Sequence, residues 1–138
     1  MTISELYDFA VAHDIEIVSQ ELPTVESYSV MFPTTGNCYI GMDYSKIESA
    51  ADEKTKLAHE IGHCEKGAFY NRYAKYDLIS RQEYRADKWA VLHTMPKKEV
   101  IAAMKCGCTE VWQLAEWFGV SERLVRRAMW IYFDKEAV

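Results

Sequence analysis

Two histidines four residues apart, His59 and His63, with Glu60 directly after the first, make the spacing H-E-x-x-H inside LAHEIGHCEKG at residues 57–67. On an α-helix a four-residue step turns about 40° around the axis, so both imidazoles project side by side and can share one ion. Glu60 then lies about 100° from His59 and about 60° from His63, flanking the metal position without ligating it. That placement suits a base acting on the water of a metal-assisted hydrolysis, with one Zn2+ as the expected ion and Mn2+ as an alternative. Four histidines in this composition produce roughly 0.01 such matches by chance, so the spacing carries signal. The opposite side of the same helix reads Leu57, Ile61, Cys64 and Ala68, an apolar stripe for a core. Gly62 inside the helix costs about 1 kcal/mol relative to alanine, which predicts that another backbone or a substrate comes close there.

Two ligands do not complete a site. The run RQEYRADKWA at 81–90 contains Glu83, 20 residues after His63 (83 − 63), and Asp87 four residues further on. On a helix through 81–92, Glu83, Ala86, Asp87 and Ala90 share one face, and the alanines allow close approach. The arrangement resembles that of gluzincin-type peptidases. The resemblance implies that Glu83 is the third ligand and that Asp87 accepts the second ring N–H of a ligating histidine.

The chain further resembles the ImmA/IrrE family of metallo-endopeptidases of bacterial mobile elements and prophages. The similarity runs through HEIGHC at 59–64, GAFYNRY at 67–73, EYRADKWA at 83–90 and MP at 95–96, most of the chain from about residue 28 onward. Arg85 stands where similar proteins often carry a second glutamate, which leaves Glu83 as the ligand candidate. What the resemblance implies is a cytoplasmic zinc peptidase that cleaves a partner regulatory protein, typically a repressor encoded beside it. Some relatives carry a helix-turn-helix domain before the peptidase. Here about 55 residues precede the zinc helix and read as a helix and strands, so the substrate is expected in trans.

The 138 residues, 49% hydrophobic and 27% charged, suit one soluble globular domain. A net charge of −5 argues against generic nucleic-acid binding. The first residues, MTISELYDFAVAHDIEIV, show neither a signal peptide nor a membrane span, so a cytoplasmic protein with no membrane partner is expected. For a cytosolic chain, Cys38, Cys64, Cys106 and Cys108 are expected to be free thiols, with Cys64 packed in the core.

The expected fold class is α+β, a small zincin-like single domain with a short antiparallel sheet before the zinc helix and a helical C-terminal half. Residues 1–47 supply a helix over 3–13 and strands at 15–18, 28–32 and 37–44, the last two forming a hairpin. Residues 48–96 hold the ligand helices, the first capped by Ser49 or Asp52 and stopped by Gly67. The strand at 37–44 is a candidate edge along which an extended substrate pairs with residues 39–43, or else an ordinary edge. Tyr70, Tyr73 and Tyr76 lie between the ligand helices as candidate oxyanion donors, and spacing selects none of them. His93 reads as a surface or core histidine.

Residues 97–138 read as further helices, with Gly119 as a turn and Ser121 as a cap. Ala115, Gly119, Val120 and Val125 match a helix-turn-helix, with Arg123, Arg126 and Arg127 beside them. Seven Lys/Arg against six Asp/Glu give this segment little attraction for phosphates, so a hairpin completing the core, with Trp112, Trp117 and Trp130 to bury, is the better reading. Two other functions remain open: a regulatory binding module that sequesters a repressor, and a DNA-binding protein acting through residues 109–133.

Overall fold

The computed structural model describes residues 1–71 and 73–134. It is an α+β fold in the order α1 (Ile3–Ala12), β1 (Ile15–Ser19), β2 (Ser27–Met31), β3 (Cys38–Met42), α2 (Ala50–Lys66), α3 (Tyr76–Thr94), α4 (Lys97–Lys105), α5 (Val111–Phe118) and α6 (Glu122–Met129). A short π-helical segment, Trp130–Asp134, follows α6.

The sheet differs from expectation in two respects. Its order is β1-β3-β2, with β1 parallel to β3 and β2 antiparallel to it, so the sheet is mixed. The chain reverses after β1 and again at the hairpin, and inserting β3 between the first two strands leaves it parallel to β1. The second difference bears on substrate binding. β3 is the central strand, with both edges already paired, so residues 39–43 cannot accept an added strand. The free edge beside α2 belongs to β2. Strand-forming runs on either side of a turn point to the hairpin but carry no information on strand order in the sheet.

One face of β3, Cys38, Ile40 and Met42, is buried together with Leu57, Ile61 and Cys64 of α2. The stripe expected from the sequence is therefore the core side of α2. Ser49 caps α2 by accepting from the Asp52 N–H, and Gly67 ends it at φ 57°, the left-handed region that glycine adopts freely. Gly62 has the expected role. A Cβ there would stand 2.5 Å from the carbonyl oxygen of Ala86, so its absence lets α2 and α3 cross in backbone contact. That contact brings together the two helices that carry the candidate ligands.

The free-thiol expectation fails for one pair. Cys38 and Cys64 form a disulfide, their Cα atoms 5.8 Å apart, while Cys106 and Cys108 are free. β3 lies on α2 and brings these two thiols close enough to bridge, a pairing that depends on packing between elements. Closing 26 residues of chain removes about 3.5 kcal/mol of loop entropy from the unfolded state. Urea unfolding with and without dithiothreitol is expected to differ by about that amount, and identical curves would show that the bond does not form.

The C-terminal half departs from the expected burial. Trp112, Trp117 and Trp130 remain 53%, 56% and 39% exposed. The hairpin instead buries Leu114, Ala115 and Phe118 of α5 against Val120, Leu124 and Val125. Trp112 and Trp117 each lie about 110° around α5 from the middle of that buried arc, on either flank of it. Among the described residues no helix is long and apolar enough to cross a membrane.

Candidate metal centre

His59, His63 and Glu83 converge where α2 and α3 cross. The two histidine Nε2 atoms lie 3.1 Å apart, His59 Nε2 is 2.8 Å from Glu83 Oε2, and His63 Nε2 is 3.2 Å from Glu83 Oε1. Donors on a tetrahedral zinc at 2.0–2.1 Å stand about 3.3 Å from one another, close to these separations.

The remaining ring nitrogens decide what these groups can bind. His59 Nδ1 is 2.8 Å from Asp87 Oδ1, and His63 Nδ1 meets the backbone carbonyl of Ala68. A carboxylate and a carbonyl only accept, so both Nδ1 atoms carry a hydrogen, and each imidazole in its neutral form turns an Nε2 lone pair inward. Two lone pairs and a carboxylate therefore face one another at about 3 Å, an arrangement that needs a positive charge among them. In the absence of a metal, a proton meets that need. Burial works against a charge on His59, yet the hydrogen-bonded carboxylates of Asp87 and Glu83 prevail and raise it to about 9. In turn, the two imidazoles against it, His59 first, hold Glu83 far below the ordinary carboxylate range, with the Tyr70 hydroxyl adding to them.

Local structure explains each orientation. The left-handed turn at Gly67 brings the Ala68 N–H onto the His63 carbonyl, which folds the chain back over the helix end and presents the Ala68 carbonyl to the His63 ring. Asp87, one turn after Glu83 on α3, is 2% exposed. Burial favours its neutral form, but His59 and Arg123 outweigh this and bring it down to about 2. The face expected from the sequence thus holds, with Glu83 half-open at the cleft and Ala86, Asp87 and Ala90 buried.

Glu60 stands beside the three ligand candidates as the helical spacing requires. It is 7% exposed, and its Oε2 accepts from the Ser27 hydroxyl at 2.8 Å, which ties it to the edge strand β2. A cavity of about 390 Å³ opens in front of this group, lined by His59, Glu60, His63 and Glu83 together with Val25, Ser27 and Tyr28 on one side and Phe69 and Tyr70 on the other.

Of the three tyrosines, Tyr70 reaches the site, its hydroxyl donating to Glu83 Oε1 at 2.7 Å. Burial and the neighbouring carboxylate push it up to about 12, so it remains a donor through neutral pH. Tyr73 and Tyr76 are 79% and 83% exposed. His93 stacks on Trp89, with its Nδ1 on the Trp89 carbonyl, and takes no part in the cluster.

Comparison with protein-family models, with curated proteins and with solved structures finds no match for this chain.

Ser27 was not foreseen from the sequence, and Arg123 and Arg127 were weighed there only for DNA binding. Serine in a strand carries no positional signal, and the arginines fit the periodicity of a solvent-facing helix. In the structure Arg123 and Arg127 both reach Asp87.

Proposed function

We propose that this chain is a zinc-dependent endopeptidase of the ImmA/IrrE kind, acting in the cytoplasm on a regulatory protein supplied in trans, with His59, His63 and Glu83 as ligands. The observation that supports this best is the inward turn of two histidine lone pairs and one carboxylate, with a second, non-converging carboxylate, Glu60, at the mouth of the same cavity. Three protein ligands of N, N and O type are the set found in hydrolytic zinc sites, where a fourth position stays open. Bound there, zinc would supply Lewis acidity, polarising a peptide carbonyl and making water a better nucleophile at neutral pH.

The protein groups do the rest. Glu60 takes a proton from the attacking water and passes it to the departing amine, and the Ser27 hydroxyl holds its carboxylate in the required rotamer. Asp87 fixes the His59 tautomer and ring plane, and the Ala68 carbonyl does the same for His63. Tyr70 holds Glu83 from the open side of the cleft. The free edge of β2 runs along the cavity wall, and an extended peptide pairing with Ser27–Met31 would pass directly over Glu60.

A repressor encoded beside the gene is the substrate that the family resemblance suggests. Incubating the purified protein and Zn2+ with that repressor, then weighing the products, is expected to give two fragments whose masses sum to the repressor plus one water. Binding without cleavage would instead favour a sequestering module. The third reading, DNA binding through residues 109–133, loses support because Arg123 and Arg127 are engaged on Asp87.

A further inference from the structure

We propose that Arg123 and Arg127 are positioning residues of the metal centre, locking Asp87 so that a single carboxylate oxygen addresses His59. The proposal rests on the reading of His59 as a metal ligand. Arg123 grips Asp87 with both terminal nitrogens, Nη1 at 3.1 Å from Oδ2 and Nη2 at 3.4 Å from Oδ1. Arg127 Nε lies 3.2 Å from Oδ2. With His59 Nδ1 on Oδ1, both oxygens of this buried carboxylate are engaged from two directions, and rotation about its Cβ–Cγ bond would break several charge-assisted contacts at once.

The arginines are not there to fill space. Their side chains are 58% and 37% exposed, so water could solvate both, yet they turn inward to one carboxylate. Arg127 is itself held. Arg127 lies over the ring of Tyr84 at 5.7 Å, and Tyr84 meets Trp130 edge-on, which gives that half-exposed tryptophan a use outside the core. At the start of α6 the Ser121 N–H donates to Thr55 Oγ1, one turn before His59 on α2. Helix α6 therefore braces both ligand helices, α2 through Thr55 and α3 through Asp87. Arg126 is different, pairing along its own helix with Glu122.

Each arginine in turn is changed to Met, then both, with R127K and R126M as comparison proteins. The purified proteins are titrated with Co2+, followed by visible absorption, and then with Zn2+ in competition. Losing contacts that orient a ligand typically costs 10–100-fold in metal affinity, so each single variant is expected to weaken binding about ten-fold and the double about a hundred-fold. Their Co2+ bands are expected to change in position or intensity as the His59 ring loosens. R127K, which keeps the charge without the planar fork, is expected to recover part of the loss, and R126M to match the unaltered protein. If the double variant unfolds, R123M carries the test, because its side chain is mostly in solvent.

Folded variants with unchanged affinity and unchanged Co2+ spectrum would overturn the proposal, leaving the arginines a purely structural role. Failure of the unaltered protein to bind either metal is a different result, because it removes the metal reading itself.

Discussion

Replacing Glu60 by Gln is expected to leave zinc content and fold unchanged and to lower the rate of peptide cleavage by about 10²–10⁴. The carboxylate of Glu60 is not among the three groups that converge, so the amide removes no ligand. Gln also matches it in shape and can still accept from Ser27, so the strand-to-helix tie at the cavity mouth survives. What disappears is basicity: an amide cannot take the water's proton or return it to the amine. In activation terms the loss is about 2.7–5.5 kcal/mol, larger than any plausible repacking effect at a conservative substitution. Full activity in E60Q would defeat the mechanism, and loss of zinc would place Glu60 among the ligands instead. A fall in rate at constant metal content and melting temperature separates the base from both alternatives.

Legibility from the sequence followed the range of the interaction. Within one helix the geometry is fixed by 3.6 residues per turn, so the His59 and His63 pairing, the flanking Glu60, the buried stripe from Leu57 to Ala68 and the stop at Gly67 all appear as expected. Gly62 was legible for the same reason: a helix-weakening residue on an inward face announces a close neighbour, and Ala86 supplies it. Contacts between elements were not readable in this way. Strand order, the Cys38–Cys64 bond, the tie from Ser27 to Glu60 and the reach of α6 to Asp87 depend on which surfaces meet, and periodicity does not encode partners. The tryptophans mislead for a related reason. Their size suggests burial, but their angular positions on α5 put two of them beside the apolar arc and not within it.

Removing one of the proposed ligands should have the largest effect of all on metal binding. In the unaltered protein, zinc at a hundred times its dissociation constant is expected to add about 2.7 kcal/mol to stability, or about 10 °C in melting temperature for a chain of this size. In His63→Ala or Glu83→Ala that increment should vanish and the bound metal fall from one ion to none, as measured by elemental analysis of the dialysed protein. The same electrostatics set the pH dependence. Without metal, His59 carries a proton up to about pH 9, so below that value zinc must displace it. Affinity should therefore rise with pH toward about 9 and level off above it, with proton release on binding measurable in weakly buffered solution. A flat profile across that range would mean that the metal does not take the His59 position. A zinc-induced shift that persists in both ligand variants would place the ion elsewhere in the fold. The two observations are independent: one tests which charge occupies the gap between the imidazoles and Glu83, the other tests whether those groups hold the ion at all.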